Sequence, residues 1–475
     1  MTALWNAQDI AAATRGATSG SWTASSVSID SRTIQKGDLF IALQGPNHDG
    51  HDHVEAAIAA GAAGLLVHHE PKAFSSDSND KLLLVKDTFT ALNDLGRAAR
   101  ARCDGKIVAV TGSVGKTGTK EALKLAFAAL GATYATSGNL NNHWGVPLSL
   151  ARMARETQFS IFEIGMNHAG EIAPLAKLVA PHVVIITTVA AVHLEFFDSV
   201  AGIADEKASI AAGLIYDGMA ILPADSEFFD RLCAQVRSHR CRNIISFGAD
   251  GDAQARLVSA AFNAKGMQVA ADILGQRITF DLGVTGRQWA INALAVLAAV
   301  KVIGGDVLAA AAALSQLTPT KGRGTRTAIQ LQGGSFTLID ESYNASPASV
   351  KALAETLGQI KANSKKRVVL VLGDMLELGT QSAELHAELQ TTIVANGIDT
   401  VFTAGPLMEH LHHALPREKR GGHTKDAATL APLVAASVKP GDVLAVKGSN
   451  GSRMSHVVEA LGSIAHPMPK AANGS

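Results

Sequence analysis

The stretch from residue 107 to residue 131 carries the residue types and spacing of a phosphate-binding loop. A β-prone, mostly apolar run ends at Thr111, the turn GSVG follows, and Lys116 and Thr117 open a segment with apolar residues at helical spacing. Glycines let backbone N–H groups approach phosphate oxygens, and a helix N-terminus adds its positive dipole end. Lys116 can reach the terminal phosphates of ATP or GTP, and the Thr117 hydroxyl can ligate Mg²⁺.

This match is incomplete, because the strict pattern has a glycine where this chain has Val110. The alternative is a glycine-containing turn with a surface lysine. The strand, turn and helix around GKT favour the phosphate loop. Nothing in the stretch distinguishes ATP from GTP.

Other polar residues follow predicted parallel strands, where open sheets place their chemistry. Glu163 ends the apolar run FSIFE, and a carboxylate there is costly unless it binds a cation or hydrogen-bond donors. It is either a Mg²⁺ ligand or a salt-bridged acid. His193 follows the run VVIITTV, and Lys207 lies on a helix predicted over 199–212. By default these two are a hydrogen-bonded histidine and a solvated charge.

Two further groups are candidates by position and turn formers by default. Asn139, Asn141 and Asn142 crowd the loop SGNLNNHWG. Asp340 and Asp374 each follow a predicted strand in the last third of the chain. All five side chains can bind a ligand if the strand ends converge.

Composition limits the class of protein. The chain has 475 residues, 47% of them hydrophobic, and its 42 Lys and Arg balance 42 Asp and Glu. No net field indicates nucleic acid or a membrane surface. Three scattered cysteines indicate neither disulfides nor a zinc site, and the N-terminus lacks the basic region of a signal peptide. We expect a cytoplasmic monomer that binds no nucleic acid and inserts into no membrane.

The order of elements predicts an α/β protein of three domains. Residues 1–84 read as a small α/β domain, and 85–318 as a central phosphate-loop domain with a mostly parallel sheet. Short glycine-containing β runs between about 244 and 287 predict an antiparallel addition to that sheet. The basic turn TPTKGRGTR ends this domain, and 319–475 read as a Rossmann-like open sheet.

A set of motifs resembles the Mur ligase family, the ATP-dependent amide-forming enzymes of peptidoglycan precursor synthesis. The family's phosphate loop lacks the first glycine, which accounts for Val110. Within the family, the chain resembles the member that adds D-alanyl-D-alanine to a UDP-N-acetylmuramoyl-tripeptide, because it has LGDMLELG and DESYNASP. It lacks the D-N-P-R sequence of the sibling that adds diaminopimelate. The motifs span nearly the whole chain: DSRTIQKGDLFIAL, TGSVGKTGTK, NLNNHWGVPLSL, FEIGMNHAGEI, VHLEFF, GRGTR, DESYNASPASV, LGDMLELG and VKGSNGSRM.

The resemblance implies roles for individual residues. A uridine-nucleotide clamp would involve Ser31, Arg32, Asp49, Gly50 and His51. ATP would be bound by Thr111, Gly112, Ser113, Val114, Gly115, Lys116 and Thr117, with Asn292, Arg323 and Asp340. Two Mg²⁺ ions would be held by Thr117, Glu163, His193 and a carbamylated Lys207. Peptide substrates would contact Asn139, Asn141, Asn344, Asp374, Lys447 and Arg453.

Two of these assignments are ambiguous. Either Asn141 or Asn142 matches the family's asparagine near the transferred phosphoryl group, and we assign the catalytic role to Asn142. The family usually has His-Asn where this chain has Gln288-Trp289, which puts the adenine contact of Asn292 in doubt.

The implied reaction is phosphorylation of the tripeptide carboxylate by ATP, followed by attack of the dipeptide amine on the acyl phosphate. Alternatives are a sibling or folylpolyglutamate synthetase-like ligase, a nucleotide-dependent switch, and a non-catalytic nucleotide-binding module. ADP release that depends on both a carboxylate and an amine separates the ligases from the other two.

Overall fold

The computed structural model describes residues 3–70, 76–263 and 265–464, which form three α/β units, each on its own sheet. The first unit has a four-stranded parallel sheet in the order β3-β4-β5-β6 beside a short antiparallel pair, β1 and β2. The strands are β1 Trp5–Asn6, β2 Thr23–Ala24, β3 Ser26–Ser28, β4 Asp38–Ile41, β5 Gly64–Val67 and β6 Leu82–Leu84, and the helices are α1 Ala7–Thr14, α2 Val54–Ala59 and α3 Thr88–Ala101.

The helix α3 joins the first unit to the second. Asp87 caps it by accepting a 2.6 Å bond from the Thr90 N–H. Leu92 and Leu95 pack in one core with Leu39 and Leu148, the last of which belongs to α5, Gly145–Ala151. The helix therefore buries its apolar face against both units.

The second unit holds a nine-stranded sheet in the order β15-β14-β13-β12-β11-β10-β7-β9-β8. Its strands are β7 Lys106–Thr111, β8 Thr133–Ala135, β9 Phe159–Glu163, β10 Val183–Ile186, β11 Met219–Pro223, β12 Asn243–Gly248, β13 Ala255–Asn263, β14 Gly266–Ile273 and β15 Gln276–Leu282. All pairs from β8 to β13 are parallel, and only β13, β14 and β15 pair antiparallel. The predicted antiparallel addition therefore begins after β12, which is still parallel.

The helices of this unit cover both faces of the sheet. Val108 and Val110 of β7 lie in one core, and Ile107 and Ala109 lie in the other. Because successive side chains of a strand point to opposite faces, a strand buried on both faces is apolar throughout. The helices are α4 Lys116–Ala128, α5, α6 Ile172–Val179, α7 Val200–Ala208, α8 Phe229–Ser238, α9 Arg287–Val302 and α10 Val307–Ala313.

The third unit has a six-stranded sheet in the order β16-β17-β21-β18-β19-β20, parallel except for the β16–β17 pair. Its strands are β16 Thr325–Leu331, β17 Gly334–Glu341, β18 Val368–Gly373, β19 Thr400–Ala404, β20 Arg420–Thr424 and β21 Val443–Lys447. Its helices are α11 Pro347–Ser364, α12 Ser382–Ala395, α13 Met408–Ala414, α14 Ala427–Ser437 and α15 Ser455–Ser463. The predicted α/β class, with a mostly parallel central sheet and an open last sheet, is confirmed.

The topology brings the chemistry-bearing residues to two sheet edges. In the central sheet β7 lies between β10 and β9, so Thr111, Thr187 and Glu163 stand together at the carboxyl edge. In the last sheet β17 and β21 are parallel neighbours that end at Glu341 and Lys447. Within the described residues, no helix is both long and apolar enough to cross a membrane.

Candidate active site

The phosphate loop, residues 112–117, is shaped by two glycines with positive φ. Gly112 has φ 152° and Gly115 has φ 91°. A Cβ on Gly112 would lie 1.9 Å from the Thr187 Oγ1, and this hydroxyl donates to the Val114 carbonyl over 2.6 Å. Glycine is therefore required at residue 112. The helix α4 begins at Lys116, so the unpaired N–H groups of its first turn lie at the end of the loop.

Lys116 is partly buried, and its Nζ donates to the Gly112 carbonyl over 2.6 Å. Burial lowers the pKa of this amine, while the nearby Glu163 carboxylate opposes that shift and the Arg323 charge adds to it. The Lys116 ammonium, which now donates to a carbonyl oxygen, can donate instead to the phosphate oxygens of a bound nucleotide.

Glu163 is the last residue of β9, and the two oxygens of its carboxylate differ in hydrogen bonding. Its Oε1 accepts a 2.8 Å bond from the Asn141 Nδ2. Its Oε2 is buried and has no hydrogen-bond partner among the described residues, although the residue is only 2% exposed. A buried carboxylate oxygen without a partner is costly, and a bound cation would remove that cost.

The asparagines of the loop SGNLNNHWG make different contacts. Asn139 and Asn141 line the same cleft as the phosphate loop. The Oδ1 of Asn142 instead accepts bonds from the N–H groups of Trp144 and Gly145 at the start of α5, over 3.2 and 2.8 Å. The structure thus places Asn141, and not Asn142, beside Glu163, while the catalytic role assigned to Asn142 stays a prediction.

His193 is a partly exposed, hydrogen-bonded histidine, as in its default interpretation, whereas Lys207 is buried. The His193 side chain is 22% exposed, and its Nδ1 lies 2.5 Å from the Oε2 of Glu377. Burial lowers the pKa of His193, and the Glu377 carboxylate partly opposes that shift. Lys207 is 1% exposed, so it is not the solvated charge of the default interpretation.

The surroundings of Lys207 disfavour its charged form. Burial holds the pKa of its amine well below the ordinary value, and the positive charge of Lys116 adds to this shift. The adjacent carboxylate of Glu206 accepts 2.8 Å bonds from the N–H groups of Gly170 and Ile172 at the start of α6. Glu206 is thus already engaged by a helix N-terminus.

Most of these residues, but not Asn142 or Lys207, meet the last unit in one cleft of about 350 Å³. Its central-unit wall contains the phosphate loop, the two asparagines, Glu163 and His193. Its other wall comes from the turn before β16 and from the carboxyl ends of β17 and β21. The polar side chains lining it are those of Ser113, Lys116, Thr117, Asn139, Asn141, Glu163, Asn167, His193, Gln288, Trp289, Asn292, Arg323, Glu341, Tyr343, Asn344, Ser346, Ser349 and Lys447.

The last unit presents two fixed cations to the cleft. The Arg323 guanidinium lies 4.0 Å from the ring centroid of Tyr343, a cation–π distance. The Nζ of Lys447 donates to the Glu341 Oε2 over 3.1 Å and to the Asn344 carbonyl over 2.9 Å. Both charges therefore face the phosphate loop from across the cleft with their side chains supported.

Comparison with known proteins identifies the family. Domain models described as "Mur ligase family, catalytic domain", "Mur ligase middle domain" and "Mur ligase, glutamate ligase domain" match residues 23–100, 110–300 and 322–450. The UDP-N-acetylmuramoyl-tripeptide--D-alanyl-D-alanine ligase of Rickettsia prowazekii is 33% identical over 456 residues, which cover 96% of this chain and 99% of the relative. The chain belongs to the Mur ligase family.

Solved structures agree over the same length. A crystal structure of MurF from Acinetobacter baumannii superposes with a TM-score of 0.83 at 28% identity, covering 97% of this chain and 99% of that one. The MurF ligase of Thermotoga maritima in complex with ADP superposes with a TM-score of 0.77 at 27% identity, covering 93% and 97%. Among Mur ligases, ATP use is expected, and that complex contains its product.

Besides the first-unit set, five residues of the proposed substrate and nucleotide sites lie outside the lining of the cleft: Thr111, Gly112, Asp340, Asp374 and Arg453. The Asp340 carboxylate accepts bonds from the N–H and hydroxyl of Ser342, while the next residue along β17, Glu341, faces the cleft. Glu341 faces the cleft in place of Asp340 because successive side chains of a strand point to opposite faces. Asp374 accepts a 2.8 Å bond from the Met408 N–H at the start of α13. Arg453 is exposed beyond β21.

The residues proposed as a uridine-nucleotide clamp lie in the first unit, also outside this cleft. The Asp49 Oδ1 accepts bonds from the His51 N–H and Nδ1 over 2.9 and 2.6 Å. A Cβ on Gly50 would lie 2.8 Å from the Ala42 Cα, so a glycine is required there. The Arg32 side chain is 86% exposed and pairs with Asp30, and the adjacent Ser31 begins the same short helical turn. The clamp remains a prediction for this Mur ligase.

Sequence reasoning missed several residues that shape the site. Thr187 supports the phosphate loop, and Glu341 and Tyr343 contact the cations of the last unit. A Cβ on Gly118 would lie 2.6 Å from the Trp289 ring, so that ring packs on α4. Asn292 lies beside the loop, with its Nδ2 2.7 Å from the position of a Cβ on Gly115. Only the packing of Trp289 had a signal in the sequence, which is Gly118, since a glycine within a helix often marks close packing by a neighbour.

Proposed function

We propose that this chain is an ATP-dependent ligase that joins the C-terminal carboxylate of a UDP-N-acetylmuramoyl-tripeptide to the amine of D-alanyl-D-alanine, in peptidoglycan precursor synthesis. The observation that carries the proposal is the single cleft in which the phosphate loop faces Arg323 and Lys447. An amide-forming ligase must bring a triphosphate, a carboxylate and an amine together in such a space. The relatives of this length and architecture bear the same activity in their names.

The residues of the chain divide the work. The phosphate loop and the first turn of α4 bind the triphosphate, and Lys116 stabilises the charge that develops as the γ-phosphoryl group moves to the carboxylate. Asn141, fixed by Glu163, lies near the transferred group. Arg323 and Lys447 orient anionic groups from the opposite wall. The amine then attacks the acyl phosphate, and inorganic phosphate leaves.

The side chains at the carboxyl edge of the central sheet fit magnesium. Glu163 has a buried oxygen without a partner among the described residues, and Thr117 lies at the end of the phosphate loop. We propose that these two hold one Mg²⁺ and that Glu163, His193 and Lys207 hold a second. When bound there, Mg²⁺ would neutralise charge on the phosphates.

Lys207 fits that second set only after modification. As an ammonium it would repel a cation, and it is buried beside an already engaged Glu206. Reaction of the neutral amine with CO₂ forms an N–C bond and releases a proton, which leaves a carbamate anion. The carbamate offers oxygen ligands of the kind that Mg²⁺ prefers.

We also propose that the enzyme acts as a cytoplasmic monomer. Its three cysteines are all free, which suits a reducing compartment.

The decisive experiment is ADP release measured across a panel of acceptors and amines. We expect turnover only with a UDP-N-acetylmuramoyl-tripeptide and D-alanyl-D-alanine together. Turnover with single amino acids would identify a sibling ligase. ADP release without any acceptor or amine would indicate a nucleotide-dependent switch and overturn the proposal.

A further inference from the structure

A contact between two distant loops lies next to the cleft. His193 belongs to the turn that follows β10, and Glu377 belongs to the loop LELG that follows β18. The His193 Nδ1 lies 2.5 Å from the Glu377 Oε2, although 184 positions separate the two residues. The two loops also share a backbone bond, in which the Glu195 N–H donates to the Glu377 carbonyl over 3.2 Å. The contact thus joins the central unit to the last unit through main chain and side chain.

The backbone on both sides of this contact is unusual. His193 has φ 54° and Glu377 has φ 63°, and neither is a glycine. Residues with side chains seldom adopt this left-handed conformation, and they retain it where the surroundings demand it. A Cβ on Gly379 would lie 3.3 Å from the Glu195 Cα, so the last-unit loop approaches the turn closely. Both loops are therefore shaped for this approach.

The contact determines what the histidine ring can do. A carboxylate at Nδ1 accepts the proton of that nitrogen, so the lone pair of the neutral ring is left on Nε2. The ring lines the cleft that also contains Glu163 and Thr117. In metal sites, a carboxylate on the second ring nitrogen fixes the tautomer and the orientation of a histidine ligand.

We propose that Glu377 is a positioning residue for metal binding: the last unit supplies the carboxylate that presents the Nε2 of His193 to the second cation. The inference rests on the proposed function, which makes His193 a metal ligand. It adds that this ligand is set only when the two units are docked as they are here. Docking and occupation of the second metal site then favour each other by the same factor.

The test uses Mn²⁺ as the probe, titrated into the full-length protein with ADP and followed by electron paramagnetic resonance. We expect two classes of bound Mn²⁺ in the unaltered chain. Glu377→Ala should weaken one class by about 10- to 100-fold and leave the other unchanged. Glu377→Gln should have a smaller effect, because its amide oxygen can still accept from Nδ1. The matched control is Glu384→Gln, an exposed carboxylate on α12 close in sequence.

Small-angle X-ray scattering supplies a second readout, which is the change in compactness that Mn²⁺ produces. Adding Mn²⁺ should make the unaltered chain more compact and should affect Glu377→Ala less. Because the Glu377 side chain is 45% exposed, the variant should remain folded, which circular dichroism can check. Unchanged Mn²⁺ affinity in folded Glu377→Ala would overturn the inference. Tighter binding would also overturn it, since the carboxylate would then compete with the metal for His193.

A further variant separates this inference from the proposed function. If His193→Ala weakens one class of Mn²⁺ and Glu377→Ala does not, only the positioning role fails. If His193→Ala also leaves both classes unchanged, the metal role of His193 itself is wrong.

Discussion

Replacing Lys116 by alanine tests the phosphate cradle directly. The Nζ of Lys116 donates to the Gly112 carbonyl and lies near the carboxylate of Glu163, in the cleft faced by Arg323. During phosphoryl transfer it is the central-unit cation best placed to stabilise the developing charge. Removing such a stabiliser typically costs about 10²-fold or more in kcat, equivalent to about 2.7 kcal/mol.

The same change should affect folding little, for reasons visible in the structure. Alanine removes one hydrogen bond, with a net value of about 1 kcal/mol. It also removes an amine whose depressed pKa shows that its charged form is disfavoured in the folded state. These two effects oppose each other. We therefore expect the free energy of unfolding to change by no more than about 1 kcal/mol and the Tm by a few degrees.

The assay is steady-state ADP release with saturating ATP, tripeptide nucleotide and dipeptide. Lys124→Ala serves as the control, because Lys124 is an exposed lysine on the same helix. A thermal melt of each variant separates loss of chemistry from loss of fold. Near-normal kcat in Lys116→Ala on the full substrate set would refute the assignment of the loop to catalysis.

Three further predictions address other parts of the structure. Gly112→Ala should destabilise the protein by about 1–3 kcal/mol, because its Cβ would overlap the Thr187 hydroxyl, whereas Gly251→Ala, where a Cβ meets nothing within 4 Å, should be nearly neutral in a denaturant titration. Lys207→Ala should lose most activity and recover part of it with a small carboxylic acid, and ¹³CO₂ should give a carbamate NMR signal only in the unaltered protein; full activity of the variant would contradict the carbamate. Burial lowers the pKa of His182 to about 4, so the unfolded state binds the extra proton and the free energy of unfolding should fall as pH drops from about 6.5 towards 4. For this partly exposed ring, His182→Gln should reduce that fall by on the order of 1–2 kcal/mol. An equal pH dependence of the free energy of unfolding in both proteins would refute the attribution to His182.

Elements bounded by clear apolar runs were predictable from the sequence. The strands Thr400–Ala404 and Val443–Lys447 can be recognised in the sequence, because each is a short, mostly apolar run between an aspartate and a glycine. The helix predicted over 199–212 is instead α7, Val200–Ala208, followed by a 3₁₀ turn, Ser209–Gly213. Periodicity alone does not distinguish a continuous helix from one that tightens at its end.

Site residues at the ends of strands could be predicted from the sequence, whereas those in loops could not. Glu163 follows from an apolar run that ends in a carboxylate, since parallel strands bring their ends to one edge. Asn141 and Asn142 are neighbours in one loop, and only the local backbone decides which amide faces Glu163 and which caps α5. The burial of Lys207 depends on elements packed around α7 from elsewhere in the chain.

The contact of His193 with Glu377 gives a reason for two units to share one cleft. Each unit by itself offers an incomplete set of groups: the central one carries the phosphate loop, and the last one holds the cations Arg323 and Lys447 on the opposite wall. An acyl phosphate formed between them must be kept from water until the amine arrives. A metal ligand that depends on a carboxylate from the opposite unit would make the full charge stabilisation available only when the cleft is assembled. Phosphoryl transfer would then be slow in any arrangement that admits water, because the second cation would lack its histidine ligand there.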